Sequence, residues 1–208
     1  MPRKVDHEQR RSEVTSIAAE LVARGGRGAL TVRGVAEAAG CSTTVVSHYF
    51  DDMSHLLHET YALSVRRSRR RLDAVIARDP SDLVGLVEAV LPLDAQRTDD
   101  WRIWLAFWGD ALASSAFARE QRQRARSATR RFRRCLDLLV AEGRLPAGLD
   151  TEIAADRISV LVPGIAAEAI FDPRRWTAAR QREVLLAELA SLGFDAVTAE
   201  APAPRRAS

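Results

Sequence analysis

Residues 31–50 constrain the fold of this chain more than any other stretch. They read TVRGVAEAAGCSTTVVSHYF, with a short run of helix-forming residues on each side of Gly40. Thr31 and Ser42 precede these runs, where a hydroxyl oxygen can accept a hydrogen bond from the first helical turn. Glycine at position 40 tolerates the positive φ of a tight turn. Two short helices joined in this way are typical of a helix-turn-helix.

The second of these helices has an apolar and a polar face. Val45 or Val46 would pack across the turn against Val35, Ala36 and Ala39, and the small alanines would allow the helices to cross closely. The polar face carries short side chains that can approach DNA in a major groove. They are Thr43, Thr44, Ser47 and His48. The pattern alone is also compatible with a plain helical hairpin inside a core.

The rest of the chain predicts an all-α fold of about nine helices. Apolar residues recur with helical spacing, and no segment shows a convincing strand alternation. The helices are expected at about 8–24, 31–39, 42–49, 51–77, 81–91, 101–113, 117–142, 151–171 and 177–192. Pro163 lies inside the eighth, where it removes a backbone hydrogen bond.

These helices suggest two domains and a tail. We expect a helix-turn-helix DNA-binding domain over 1–50 and a helical ligand-binding and dimerisation domain over 51–198. Residues 199–208 are rich in Ala, Pro and Arg, and we expect them to be disordered because they cannot bury a core.

Composition and residue spacing limit the classes of protein to which the chain can belong. No apolar run is long enough to span a bilayer, and the first residues lack the apolar segment of a signal peptide, so a cytoplasmic location away from membranes is expected. Cys41 and Cys135 show no metal-binding spacing and are expected to be reduced. The chain offers no nucleophile–base pair and no metal constellation. The sequence therefore predicts a protein that is not an enzyme and needs no cofactor or metal.

Aromatic residues concentrate between positions 101 and 112, which read WRIWLAFWGDAL. Trp101, Trp104 and Trp108 would share one helical face. Such a stripe is compatible with a core or with the wall of a ligand pocket between helices. Asp110 and Glu168 lie on otherwise apolar helices, where they can complement a cationic ligand or pair with arginines.

The last two helices suggest a homodimer. Apolar stripes on them fit a four-helix interface formed by two helices of each subunit, although packing within one chain would also explain them. The stripes consist of Ile158, Leu161, Ile165 and Ala169, and of Val184, Leu185, Leu189 and Leu192. A dimer would place two recognition helices about 34–36 Å apart on a palindromic operator.

Over residues 8–60, the helix-turn-helix, the helix before it and the HYF ending before a long helix resemble the TetR family. The resemblance implies that Thr31 and Arg33 contact the DNA backbone and that His48 and Tyr49 anchor phosphates. It also implies that Thr43, Thr44 and Ser47 face the groove, and Ser42, which precedes them, is expected among the DNA-binding residues. Arg3, Lys4, Arg10 and Arg11 are expected to add phosphate contacts from an N-terminal arm.

The string at 101–112, together with the SHYF ending, resembles the betaine-pathway repressor branch of this family, which responds to choline. The resemblance implies a cationic effector held by aromatic faces, and the effector is expected to be a cationic or amphipathic small molecule. Its expected contacts are Trp101, Trp104, Phe107, Trp108, Glu168 and Phe171. The sequence thus predicts a dimeric repressor that binds a palindromic operator and is released by a small molecule. The alternative is a DNA-binding module that activates transcription or acts without a ligand.

Overall fold

The computed structural model describes residues 2–194, with side chains from residue 7 onward. The predicted tail at 199–208 and the side chains of Arg3 and Lys4 lie outside the described residues. Within them the fold is entirely helical, as predicted, with nine α-helices and no strand. The helices are α1 (Pro2–Gly25), α2 (Val32–Ala38), α3 (Thr43–Tyr49), α4 (Met53–Arg78), α5 (Leu83–Glu88), α6 (Ala95–Ala113), α7 (Ser115–Ala141), α8 (Thr151–Phe171) and α9 (Ala178–Ser191). None of these helices is long and apolar enough to cross a membrane.

The chain divides into two compact units. The first comprises Met1–Asp73 and Asp94–Gln123, and the second comprises Ala74–Leu93 and Arg124–Ser208. The first unit therefore holds the helix-turn-helix together with most of α4, all of α6 and the start of α7. The domain boundary expected at residue 50 remains a prediction.

The helix-turn-helix forms with the predicted caps. Thr31 Oγ1 accepts a hydrogen bond from the Gly34 amide at 3.0 Å, and Ser42 Oγ accepts one from the Val45 amide at 3.4 Å. Gly40 has a φ of +59°, a conformation that disfavours a side chain. Buried apolar residues of α1, α2, α3 and their connections form the core of this region: Val14, Ala18, Val22, Leu30, Val35, Val46 and Phe50.

Two predicted helix starts are wrong. Helix α6 begins at Ala95 rather than near Trp101, because the Asp94 carboxylate accepts a hydrogen bond from the Arg97 amide at 2.8 Å and caps the helix there. Helix α1 begins at Pro2 rather than Glu8. The expected N-terminal arm is therefore helical.

The second unit has its own apolar core. Leu83, Leu86 and Leu136 belong to this core and are at most 1% exposed. Helices α8 and α9 pack against each other, and most of the apolar stripes predicted to form a dimer interface are buried between helices of the same chain. The buried members are Ile158, Ile165, Ala169, Leu185, Leu189 and Leu192. That part of the interface prediction is wrong, because these side chains already pack inside one subunit.

Candidate functional site

Helix α3 presents a polar surface on a firmly held backbone. Val46 is completely buried beneath the helix, while Thr43, Thr44, Ser47 and His48 are exposed. The structure thus places the four predicted groove-facing side chains on one accessible helix. Their hydroxyl and imidazole groups can donate or accept hydrogen bonds.

Four further predicted DNA contacts surround this helix. Thr31, Arg33 and Ser42 are exposed, and Tyr49 is half-buried at the end of α3. The hydroxyls of Thr31 and Ser42 accept capping bonds through their oxygens, which leaves each O–H able to donate. Each hydroxyl therefore caps its helix through the oxygen, and its O–H group can still donate a hydrogen bond.

Arg10 and Arg11, two of the arginines expected on an N-terminal arm, have hydrogen-bond partners within the first unit. Arg10 donates to Glu13 at 3.0 Å and approaches the Ala39 carbonyl oxygen at 3.5 Å. Arg11 donates to Glu59 of α4 at 3.0 Å and lies over the Phe50 ring. Because both guanidinium groups have intrachain partners, they fix α1 in place and are not carried on a free arm.

His7 is a contact that sequence reasoning did not find. Its Nε2 lies 3.2 Å from His48 Nε2, and its ring meets the Tyr49 ring edge-on at 4.6 Å between centroids. These residues are about forty positions apart in the chain, so no local spacing indicates the contact.

The aromatic residues of α6 form part of the core of the first unit. Trp101, Trp104 and Phe107 are at most 2% exposed. Trp104 Nε1 donates to Ser64 Oγ of α4 at 2.7 Å, and Phe107 stacks on Tyr61 at 3.8 Å between centroids. These three side chains are therefore core residues, which is one of the two interpretations that the sequence allowed.

Trp108 differs from its neighbours on α6. The side chain of Trp108 is half-buried as a whole. Its indole Nε1 is buried, however, and has no hydrogen-bond acceptor among the described residues. Buried donors of this kind are uncommon in native structures. The remaining predicted ligand contacts, Glu168 and Phe171, are both exposed near the end of α8 in the second unit.

A buried acid on α6 was also missed from the sequence. Asp100 is fully buried, and its Oδ2 accepts a hydrogen bond from Arg71 Nη2 at 2.9 Å. Arg67 Nη1 lies 3.7 Å from Oδ1. Burial raises the pKa of Asp100, while the two guanidinium groups act to lower it. Helix α4 carries a run of five arginines between positions 66 and 71, and two of them pair with this carboxylate.

Further polar contacts join α6 and α7 to other parts of the first unit. Arg27 Nε, in the 3-10 turn after α1, donates to Asp110 of α6 at 3.3 Å, so Asp110 pairs with an arginine. His58 of α4 contacts Glu120 of α7 at 2.6 Å. Helix α1 also packs along α6. The helix-turn-helix and the aromatic helix therefore belong to one connected set of contacts.

A capped helix-turn-helix with an exposed polar second helix, followed by a helical body, defines the class of DNA-binding transcriptional regulators. Residues 14–60 match the model for bacterial regulatory proteins of the tetR family. Residues 80–193 match the model for the C-terminal region of BetI-type transcriptional repressors. The chain belongs to the TetR family and resembles its BetI branch, and it is not an enzyme.

Individual relatives agree with this assignment. The chain is 30% identical over 172 residues to the transcriptional regulator BetI of Paraburkholderia phytofirmans, covering 79% of this chain and 84% of that protein. It is 25% identical over 199 residues to the regulator PksA of Bacillus subtilis, covering 92% and 94%. A transcriptional regulator from Saccharomonospora viridis, solved in complex with choline, superposes with a TM-score of 0.82 at 20% identity, covering 88% and 96%. At that identity the superposition shows the shared fold alone.

Proposed function

We propose that this protein is a homodimeric repressor that binds a palindromic operator and is released by a small-molecule effector. The observation that carries the proposal is the exposed polar face of α3 on a buried Val46 anchor. Phosphate contacts would position this helix, and contacts to base edges would give specificity. Because Thr43, Thr44 and Ser47 carry short side chains, part of the specificity is expected to come from DNA shape.

The flanking residues would supply the backbone contacts. We assign Thr31, Arg33, Ser42, His48 and Tyr49 to phosphate oxygens. Arg33 can offer two parallel donors, and the capping hydroxyls can each donate one hydrogen bond. All five are exposed or half-buried around the recognition helix.

The dimer would form through the outer face of α8 and α9. Val160 and Ile153 are 76% and 56% exposed on α8, and Leu186 is exposed on α9. Arg157 and Glu188 form an ion pair across these helices at 2.8 Å, beside a shallow groove lined by Ile153 and Val160. A second copy of the chain would cover these apolar side chains. This exposed face takes the place of the stripes that the sequence predicted for the interface.

Sedimentation of a Val160→Asp variant tests this interface. An aspartate carboxylate buried against the apolar side chains of the second copy would oppose association, so the variant is expected to sediment as a monomer. Leu112→Asp is the matched control, because Leu112 is 93% exposed at the end of α6 and lies in the other unit. A dimeric Val160→Asp variant would exclude this face.

The effector is proposed to be a cationic or amphipathic molecule bound near the α6 aromatics. The buried, unpaired Nε1 of Trp108 offers a donor to a ligand acceptor, and tryptophan faces attract a quaternary ammonium group. Trp101, Trp104 and Phe107 would form the buried aromatic wall behind it. The choline bound by the Saccharomonospora viridis regulator makes choline the first compound to test.

Release would depend on the contacts that link α6 to the head. The Arg27–Asp110 pair and the packing of α1 along α6 join the aromatic helix to the helix-turn-helix within the first unit. A ligand that favours a shifted α6 would thereby favour a second arrangement of the heads. Its effect on operator affinity is limited by its differential affinity for the two arrangements, typically about 1–3 kcal/mol.

The test is selection of genomic fragments by the purified protein, followed by fluorescence polarisation on the selected DNA. The expected result is one motif with two inverted half-sites, released by choline, betaine aldehyde or a related cation. A selected motif that no compound releases would favour the alternative, a regulator acting without a ligand. Failure to select any motif would overturn the proposal.

A further inference from the structure

His7 joins α1 to the exposed end of the recognition helix. Its ring lies against both His48 and Tyr49, with centroids 5.3 Å and 4.6 Å away and interplanar angles of 72° and 64°. The His48 and Tyr49 rings also meet edge-on, at 5.3 Å. The three aromatic side chains therefore form a small cluster, the His7 cluster, at the surface of the head.

We infer that His7 is a positioning residue for DNA binding, holding His48 and Tyr49 in the geometry in which they contact phosphates. The inference rests on the proposed function, because it assigns a role to a residue behind two proposed phosphate contacts. Nothing in the resemblance to the TetR family assigns a function to position 7.

The hydrogen bond within the cluster selects a tautomer. An Nε2-to-Nε2 contact of 3.2 Å requires one of the two nitrogens to carry the proton and the other to accept it. When His7 donates, His48 accepts at Nε2 and a neutral His48 carries its proton on Nδ1. His48 then presents an N–H donor at Nδ1, which a phosphate oxygen can accept. When His48 donates instead, a neutral His48 has a lone pair at Nδ1, and a phosphate would be repelled.

The cluster also limits side-chain freedom at the end of a short helix. Helix α3 has seven residues, and His48 and Tyr49 are its last two. No residue of α3 follows them, and the ring of His7 supplies contacts from outside α3 that limit their rotamers. Ordering a side chain on binding costs conformational entropy, and a contact made before binding avoids part of that loss.

The neighbouring arginines of α1 already have hydrogen-bond partners. Arg10, one turn along α1, is bonded to Glu13 and the Ala39 carbonyl oxygen. Arg11 is bonded to Glu59. His7, in contrast, packs its ring against the last two residues of α3.

Two substitutions separate the hydrogen bond from the ring packing. His7→Phe keeps an aromatic ring beside Tyr49 but removes the donor to His48. His7→Gln keeps an amide that can donate a hydrogen bond. On the selected operator fragment, His7→Phe is expected to weaken binding by about tenfold, since one bond is lost in each of two subunits. His7→Gln is expected to retain most of the affinity.

Gln9→Ala is the control on the same helix, because Gln9 bonds Glu13 within α1 and should leave operator affinity unchanged. Adding His7→Phe to His48→Ala should have no further effect, because the bond is already lost. His7 and His48 are exposed, so the melting temperatures of the free variants should match that of the unaltered protein.

The outcomes distinguish the inference from the function on which it rests. If His7→Phe binds the operator as tightly as the unaltered protein, or if its effect adds fully to that of His48→Ala, the positioning role is wrong while operator binding stands. If the unaltered protein selects no DNA, the proposed function and this inference both fail.

Discussion

Replacing Arg71 with glutamine is expected to destabilise the protein more than replacing its partner Asp100 with asparagine. Asp100 is completely buried, and without Arg71 its nearest described cation is Arg67, at 3.7 Å. Removing one partner from a buried ion pair costs about 3–5 kcal/mol. Asp100→Asn leaves two arginines that keep 23% and 30% of their side-chain surface in contact with water, and the amide oxygen still accepts a hydrogen bond. Its cost is expected to be about 1–2 kcal/mol.

The pH dependence isolates the contribution of the pair. Burial raises the pKa of Asp100 above its ordinary value, and Arg71 lowers it, so removing Arg71 raises that pKa further. When the pKa of a carboxyl is higher in the folded state than in the unfolded state, protonation of that carboxyl stabilises the folded state. That contribution is present at low pH and is lost as the pH rises through the folded-state pKa. The loss of stability in Arg71→Gln is therefore largest near neutral pH, and it shrinks as the pH falls toward the ordinary range of an aspartate.

Urea unfolding at one fixed protein concentration, repeated from about pH 7.5 down to about pH 4.5, measures this difference. Other contacts of Arg71 contribute to the loss, and the Arg71→Gln, Asp100→Asn double variant is the control for them because it lacks the titrating carboxyl. The reasoning is refuted if Arg71→Gln is no more destabilising than Asp100→Asn near neutral pH. It is also refuted if the pH dependence survives in the double variant.

Three further outcomes are expected. Gly40→Ala should lower the unfolding free energy by about 1 kcal/mol or more, because φ is +59° there; an unchanged urea midpoint would contradict this. Trp104→Phe should be destabilising by about 1–3 kcal/mol, since it leaves the buried Ser64 hydroxyl without its 2.7 Å donor, and the loss should be smaller when Ser64 is already alanine. Burial raises the pKa of Cys135 to about 12, so a thiol reagent at about pH 8 should modify half-exposed Cys41 first and reach Cys135 only on unfolding.

Local sequence signals predicted the helix-turn-helix well. The hydroxyls of Thr31 and Ser42 and the glycine at position 40 each act within a few residues, and each adopts the predicted role. The eighth helix also has its predicted bounds, Thr151–Phe171. Caps and turns can be predicted because their energetics depend on neighbouring residues in the chain.

Long-range contacts were beyond the reach of the same reasoning. Asp100 pairs with arginines of α4, and His7 contacts His48. In both cases the contacting residues are distant in sequence. Helical spacing identified the apolar faces of α8 and α9 but not whether a second chain or the same chain covers them. Val160 and Ile153 lie outside the predicted stripe and are exposed.

The central claim is that α3 reads the operator, and the most direct measurement is the operator affinity of a Ser47→Ala, His48→Ala variant. Both residues are exposed, so the variant should remain a folded dimer, as should the control Glu37→Ala on the exposed surface of α2. Losing two contacts in each subunit is expected to weaken binding by at least about 30-fold, equivalent to about 2 kcal/mol. The control should bind as the unaltered protein does. A folded, dimeric Ser47→Ala, His48→Ala variant with unchanged affinity would contradict the account, because the DNA would then be read by another surface.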